Sequence, residues 1–471
     1  MGVPDMDFAY DDAQIESILG FARRLENNSI NSANEKHGTF AGKKRNPYRA
    51  STVGDHHDLT FSKTHQGKGR FGDVLEEKYF GKKNDNKSQP DFPNAKLELK
   101  ASPLQKTKKK GFTVKERLVL NHFTYKDIDR ECFDTSHFKA KNENILIVFY
   151  FYQAEVKPEE MQIELVDLWQ CLKEDGAIIK QDWEKIVQKV HEGKAEDISE
   201  GDTLYLGACT KGATKATSMQ EQPHSTIKAP GRALCFKQSY INHVFQVLRD
   251  RKKNRSEAHF LTEDETFEKR IQSLFSPYLE KTVSELKREL AIGDTAKNLN
   301  ALIARKILGF SRKNTQFYEF EAANIQIKTI RIENNGTVRE NMSFPAMVYT
   351  DIVNQEWEDS ALYQELTSKF IFVFFKKTPD GSDYTLAGYR FWNMPEKDLE
   401  VVHEKVWERT KECIAKDDFG NLPKISDHQI AHVRPHARNK EDVMLTPSGR
   451  YEYKRCFWLN SEYIRTLIPS D

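Results

Sequence analysis

The sequence contains no apolar run long enough to cross a bilayer, and its acidic N-terminus (MGVPDMDFAYDDAQ) lacks the pattern of a secretory signal. The six cysteines are scattered without C-x-x-C spacing, which argues against a disulfide framework or zinc site and favours free thiols. The formal net charge is only +1, so contacts with nucleic acid must come from local basic surfaces. These absences predict a cytoplasmic protein with no membrane partner. Its 471 residues are enough for two or three domains.

The most informative segment is 90–100, PDFPNAKLELK. Apolar residues alternate there with Glu98 and Lys100, which predicts a strand with these two side chains together on one face. A turn just upstream could swing the carboxylate of Asp91 back toward Glu98. Two carboxylates can hold a divalent metal, and a neighbouring ammonium can orient a water, so the pattern indicates a PD-(D/E)xK nuclease site. The alternative is a solvated strand face in a chain that is 30% charged.

The flanking segments favour the nuclease interpretation. Helical spacing in 71–81 places Glu76 where it could add a third carboxylate, the alternative being a solvent-facing acid. Downstream, 113–120 is predicted to be another strand, and it carries a candidate second cation, Lys115.

The spacing G-x-x-x-E from Gly72 to Glu76, followed by D-x6-E-x-K and KERLVL, resembles the MutH-like endonucleases. That family comprises mismatch-repair nicking enzymes and the Sau-type restriction endonucleases that cut at GATC. Further motifs follow in the family's order, at 181–184 (QDWE), 198–201 (ISEG), 210–213 (TKGA) and 233–237 (ALCFK). The resemblance extends from about residue 66 to about residue 250.

The resemblance implies a type II restriction endonuclease that cuts double-stranded DNA before the G of 5'-GATC-3' on both strands. Mg²⁺ would lie between Asp91 and Glu98, with Glu76 as a further ligand, directly or through water. Lys100 would orient and help deprotonate the attacking water, and Lys115 would stabilise the pentavalent phosphate. A cognate DNA methyltransferase in the same system and a DNA-induced homodimer are the implied partners.

The second half of the chain repeats the first. At an offset of 228, FPNAKLELK aligns with FEAANIQIK, and three further segments follow in order, although chance similarity of apolar strands is the alternative. The aligned pairs are Asp91 and Glu319, Glu98 and Gln326, Lys100 and Lys328, and Glu76 and Ala304. The second copy therefore retains one acid at most, which is too little for metal-assisted hydrolysis.

The expected fold class is α/β, with two tandem PD-(D/E)xK restriction-endonuclease-like (MutH-like) domains, each a mixed sheet flanked by helices. Residues 1–255 would form the catalytic domain, with a polar insertion at about 28–70. Residues 265–471 would form a catalytically inactive, allosteric DNA-binding domain.

Residues that contact DNA are also predicted from the resemblance. The loop that follows the QDW helix reads the major groove in the family, and Thr210 and Lys211 lie there in the first copy. Arg434 and His436 take the corresponding place in the second copy, and we also expect Lys237 to contact DNA.

Two other functions remain open from the sequence. One is a mismatch-repair-type enzyme that nicks one strand of GATC under the control of a partner; the other is a GATC-binding protein without catalytic activity. For the restriction enzyme itself, either two chains pair their active halves, with the inactive half binding a second GATC as an effector, or both halves share one site.

Overall fold

A computed structural model describes residues 10–37, 70–82, 89–107, 111–211, 218–250, 258–262, 265–293, 298–311 and 316–468. The chain divides into two compact units, 1–180 with 232–254, and 181–231 with 255–471. The second unit thus also includes 181–231, which the sequence interpretation assigned to the catalytic domain. The domain boundary near 255–265 stays a prediction.

The elements up to Asp250 are as follows. The helices are α1 (Ile15–Ala22), α2 (Ile30–His37), α3 (Arg70–Val74), α4 (Tyr125–Ile128), α5 (His137–Asn142), α6 (Cys171–His191) and α7 (Gln238–Asp250). The strands are β1 (Glu98–Thr107), β2 (Gly111–Val114), β3 (Leu118–Phe123), β4 (Ile145–Phe151), β5 (Ile163–Trp169), β6 (Leu206–Thr210), β7 (Met219–Gln220), β8 (Ala229–Pro230) and β9 (Arg232–Phe236). A π-helix, Leu75–Tyr79, follows α3 directly.

The elements from residue 258 onward form the second set. The helices are α8 (Phe267–Phe275), α9 (Val283–Glu289), α10 (Leu299–Ile307), α11 (Tyr318–Ala322), α12 (Tyr349–Ile352), α13 (Ala361–Thr367), α14 (Glu396–Val401), α15 (Glu408–Ala415) and α16 (Ser461–Arg465). The strands are β10 (Gln326–Ile332), β11 (Met342–Ala346), β12 (Phe370–Lys377), β13 (Tyr384–Trp392), β14 (Ala431–Pro435), β15 (Val443–Leu445), β16 (Tyr451–Tyr453) and β17 (Arg455–Leu459). A π-helix, Val402–Trp407, joins α14 to α15.

The central sheet of the first unit has the strand order β2–β1–β4–β5. Strands β1 and β4 are parallel, with Glu98 opposite Ile145, while β2 and β5 pair antiparallel with their neighbours. The sequence of β4, ILIVFYF, is an unbroken apolar run and is buried almost throughout, as expected for a central strand covered on both faces. The mixed α/β architecture predicted from the sequence is thus confirmed, and the parallel pair fixes Glu98 at one edge of the sheet.

The second unit contains the same arrangement in the sheet β10–β12–β13. Its parallel pair is β10 and β12, and Gln326, the residue aligned with Glu98, begins β10 opposite Phe370. The turn before each of these strands has a residue in the left-handed region at the same repeat position, Lys96 and Asn324, each with φ of 49°. The repeat found in the sequence is therefore also a repeat of strand order, register and turn geometry.

Two smaller sheets extend this correspondence. Strand β3 pairs antiparallel with β9 in the first unit, and β11, β17 and β14 form an antiparallel sheet in the second. The helices α5 and α13 also correspond, because each begins at a serine whose hydroxyl caps the first turn, Ser136 and Ser360. We refer below to residues 70–250 as the first repeat and to 298–468 as the second repeat.

The structure differs from the sequence interpretation at two places. The strand expected over 113–120 is two strands, because β2 ends at Val114 and Lys115 donates its backbone N–H to Pro103 before β3 begins at Leu118. The expected polar insertion at 28–70 begins with a helix, α2, which buries Ile30. Residues 38–69 of that insertion, like 251–257 near the predicted domain boundary, lie outside the described residues.

All six cysteines are free thiols, as the sequence predicts. In the described ranges no helix is both long and apolar enough to span a membrane.

Candidate active site

A tight turn brings Asp91 and Glu98 together at the start of β1. Phe92 and Leu97 form an isolated antiparallel bridge, and Lys96 takes a left-handed conformation within the turn. The backbone N–H of Asp91 donates to Glu98 Oε2 over 3.2 Å, and Asp91 Oδ2 accepts from the backbone N–H of Leu99 over 2.8 Å. The turn anticipated from the sequence is therefore present, and it is fixed by backbone N–H groups that donate to both carboxylates.

Glu98 is a buried carboxylate held by two ammonium groups. Only 1% of its side chain is exposed, and Lys100 Nζ lies 2.7 Å from Glu98 Oε1. Lys141 Nζ, on α5, lies 3.5 Å from the same oxygen. Burial raises the pKa of Glu98, while Lys100 and, more weakly, Lys141 act in the opposite direction. The two cations thus offset the cost of placing an anion in the core.

Lys141 is a site residue that the sequence interpretation missed. It belongs to α5, which precedes β4, so the parallel pairing of β1 and β4 brings it next to Glu98 from a distant part of the chain. The repeat alignment offered a signal, because at the local offset of 224 the residue aligned with Lys141 is the acidic Glu365. The charge at this position is therefore positive in the first repeat and negative in the second, where Gln326 replaces Glu98.

Glu76 lies on the π-helix that follows α3. Short π-helical turns often occur at functional sites. Burial, and then the negative charge of Asp91, raise the pKa of Glu76 to about 7, while Lys100 opposes the shift. The charge of Asp91 thus acts on Glu76, although direct ligation of a metal by Glu76 stays a prediction.

Lys115 lies in the turn between β2 and β3, with its ammonium 4.7 Å from the ring centroid of Tyr152. Among the hydrogen bonds and ion pairs of the described residues, none joins Lys115 to Asp91 or Glu98. Its assignment to the scissile phosphate stays a prediction.

The acidic pair suits a hard divalent cation. Asp91 and Glu98 offer only oxygen atoms, and burial, together with the negative charge of Asp91, raises the pKa of both Glu76 and Glu98, a shift that a bound cation would oppose. Across the described ranges, no three His, Cys, Asp or Glu side chains come close enough together to hold an ion. Asp91 and Glu98 are therefore the two side chains that suit a divalent cation here. Two carboxylates are enough for Mg²⁺, which commonly binds through one or two carboxylates plus waters and substrate phosphate.

In the second repeat, the carboxylate at the position of Asp91 is held by backbone hydrogen bonds. Glu319, aligned with Asp91, is 3% exposed. Its carboxylate accepts the backbone N–H of Phe260 over 2.7 Å and that of Leu261 over 3.3 Å, and His259 Nδ1 lies 3.3 Å away. These contacts hold the carboxylate against the segment that leads into the second repeat.

The remaining positions of the second repeat form a different network. The Gln326 side-chain amide donates to Glu365 on α13, which replaces the contact between Lys141 and Glu98. Burial lowers the pKa of Lys328, aligned with Lys100, and the nearby Glu365 opposes that shift. Ala304 is buried in α10, which is a regular α-helix where the first repeat has its π-helix. The second repeat therefore offers a neutral amide where the first has a buried anion.

The DNA-contacting candidates differ in exposure. Arg434 is exposed with its guanidinium 3.8 Å from the ring centroid of Trp458, and the ring of His436 lies 5.4 Å from the same indole. Thr210 donates its hydroxyl to Glu358 over 3.2 Å, while Lys211 follows at the end of β6.

Lys237, the fifth candidate, is buried immediately before α7. Contact between its side chain and DNA would require a local rearrangement. The DNA roles of all five residues stay predictions.

Comparisons with known proteins agree with both halves of this description. The family profile "DNA mismatch repair enzyme MutH" matches the chain twice, at 80–182 and 308–405, so the two matches begin 228 residues apart. The chain is 34% identical to the type II restriction enzyme Sau3AI of Staphylococcus aureus over 456 residues, which covers 86% of this chain and 93% of that enzyme. It is 28% identical to the DNA mismatch repair protein MutH of Vibrio campbellii over 167 residues, 34% of this chain and 71% of that protein.

Proposed function

The chain belongs to the MutH-like restriction endonucleases and is a site-specific deoxyribonuclease of type II, and from this membership we propose that it makes Mg²⁺-dependent double-strand cuts before the G of 5'-GATC-3'. We place it in the cytoplasm, together with a methyltransferase that protects the same sites. Because GATC is a palindrome, we expect two chains to pair their first repeats on one site.

The observation that carries the proposal is the asymmetry between the repeats. The first repeat keeps Asp91, Glu98 and Lys100 in direct contact through the turn and the 2.7 Å ion pair. In the second repeat, Gln326 has no charge, and Glu319 already accepts two backbone N–H groups. This contrast argues for one cutting site per chain and against a binding protein without catalytic activity.

The residues of the first repeat suit hydrolysis of a phosphodiester. Asp91 and Glu98 would hold the Mg²⁺, which when bound would polarise the phosphate and neutralise charge that develops on it. Lys100 is 20% exposed, so one side of its ammonium can hold a water while the other remains bound to Glu98. Lys141, 3.5 Å from Glu98, opposes the rise in the pKa of Glu98 that burial causes. We assign Lys115 to the phosphate and Glu76 to the outer part of the metal site.

We propose that the second repeat binds a second GATC copy and acts as an effector. Arg434 and His436 remain exposed beside Trp458, which supports a DNA contact there. An effector acts only through a difference in affinity between the active and inactive states of the enzyme. Binding of the second copy must therefore favour the cutting-competent state.

The test uses supercoiled plasmids that carry zero, one or two GATC sites, with Mg²⁺ or with EDTA. We expect double-strand cuts at GATC in Mg²⁺ and no cuts in EDTA, and we expect the two-site plasmid to be cut faster than the one-site plasmid. Glu98→Ala should cut neither plasmid. A product that is only nicked would favour the mismatch-repair type of enzyme. DNA that is bound but left uncut by both proteins would refute catalysis, and equal rates on one-site and two-site plasmids would refute the effector.

A further inference from the structure

A two-stranded hairpin follows the candidate base-reading strand in each repeat. In the first repeat it is β7 with β8, where Met219 lies opposite Pro230, and in the second it is β15 with β16, where Val443 lies opposite Tyr453. Both hairpins begin after the strand that carries the DNA-contacting candidates, β6 or β14. The two hairpins are thus equivalent parts of the repeat.

A hydrogen bond at the same repeat position closes the base of each hairpin. The backbone N–H of Lys211 donates to the carbonyl of Gly231, and that of His436 donates to the carbonyl of Lys454, each over 2.8 Å. Each hairpin is therefore attached beside a residue predicted to contact DNA.

Each hairpin exposes a large apolar side chain. Ile227, in the segment between β7 and β8, is 56% exposed, and Tyr451, at the start of β16, is 70% exposed. Isolated exposed apolar residues are common on protein surfaces, but each of these lies on a hairpin that follows a strand end predicted to contact DNA. In the second repeat Leu445 and Tyr453 are exposed beside Tyr451.

The surroundings of the second hairpin are basic. Within 434–454, the exposed charged side chains of arginine and lysine outnumber those of acids by four to one; they are Arg434, Arg438, Lys440 and Arg450 against Glu441. Positive charge interleaved with aromatic rings is the surface chemistry that fits nucleic acid, since cations contact phosphates and rings pack on sugars and bases.

The second hairpin is also held in place. The backbone N–H of Thr446 donates to the carbonyl of Arg450 over 2.7 Å, and the guanidinium of Arg450 lies 3.2 Å from a carboxylate oxygen of Asp417. Tyr349 donates its hydroxyl to the carbonyl of Tyr453. A side chain presented on a fixed hairpin loses less entropy on binding than one on a free loop.

We propose that each hairpin is a second DNA-contacting element, in which Ile227 or Tyr451 packs its apolar side chain against the sugars and base edges of the duplex. This contact lies beside the strand end that bears Lys211 or Arg434. Apolar side chains placed against or between base pairs are a known way to grip and deform a duplex. The inference rests on the proposed function to the extent that the chain must bind duplex DNA.

The test measures binding of the full chain to a GATC duplex in Ca²⁺, which supports binding without requiring cleavage, by fluorescence anisotropy at several salt concentrations. The Ile227→Ala/Tyr451→Ala double variant should bind about tenfold more weakly than the unsubstituted chain, and Tyr451→Phe should bind normally because the ring is kept. The slope of log Kd against log salt should stay unchanged, because no charge is removed. Ile425→Ala is the control, since Ile425 is 52% exposed but lies outside both hairpins.

The outcomes separate this inference from the proposed function. If the unsubstituted chain does not bind duplex DNA, the proposed function fails and this inference fails with it. If the unsubstituted chain binds and the double variant matches Ile425→Ala, the inference alone is overturned. A double variant that keeps its DNA affinity but changes its mass in gel filtration would show that the hairpins contact another chain, and this result would also overturn it.

Discussion

The buried carboxylate of Glu319 allows a quantitative prediction about the second repeat. It accepts the backbone N–H groups of Phe260 and Leu261, and Glu319→Ala would leave both donors without their acceptor. An unsatisfied buried donor costs about 1–3 kcal/mol, so the attachment of this segment should weaken by roughly 3 kcal/mol. Local opening would then be about a hundredfold more frequent.

Hydrogen–deuterium exchange of the peptide that contains residues 258–262 measures this opening directly. The control is Glu321→Ala, because Glu321 lies on the same helix, α11, but is exposed. We expect exchange of the Phe260 and Leu261 amides to accelerate about a hundredfold in Glu319→Ala and to stay unchanged in the control. Equal exchange in both variants would refute the structural role that we assign to Glu319.

Two further predictions concern the first repeat. Lys141→Met should slow cleavage about tenfold or more, because it removes a cation 3.5 Å from Glu98. The control is Lys139→Met on the same helix, α5, which breaks only a pair with the exposed Asp134 and should leave the rate unchanged; equal plasmid-cleavage rates for the two variants would contradict this. The pKa of Glu76 is raised to about 7, so its ionised form gains population as the pH rises through 7. Cleavage at fixed Mg²⁺ should rise over that range, and a pH–rate profile of Glu76→Gln that kept the same rise would exclude Glu76 as its source.

Features that depend on local spacing could be predicted from the sequence. The alternation around Glu98 and Lys100 predicted a strand with both side chains on one face, and the structure places their charged groups 2.7 Å apart. The repeat was visible because the fixed offset preserved the apolar pattern of β1 in β10, even though the functional residues had changed. The twofold match to one family profile agrees with that offset.

Features that depend on tertiary contacts could not be predicted in this way. Lys141 reaches Glu98 because β1 and β4 are parallel neighbours, a pairing that spacing along the chain does not encode. The break between β2 and β3 at Lys115 arises because the two strands pair with different partners. Glu319 looked like a remaining metal ligand, but only the fold shows that the amides of Phe260 and Leu261 already occupy it.

The central claim is that the first repeat cuts DNA and the second does not. The most direct measurement is single-turnover cleavage of a GATC plasmid by Glu98→Gln and by Gln326→Ala, which change the same position of the two repeats. We predict that Glu98→Gln abolishes cutting with little change in shape, whereas Gln326→Ala leaves the chemical step intact. Cutting that survives Glu98→Gln, or that is lost equally in both variants, would contradict the assignment of the active site.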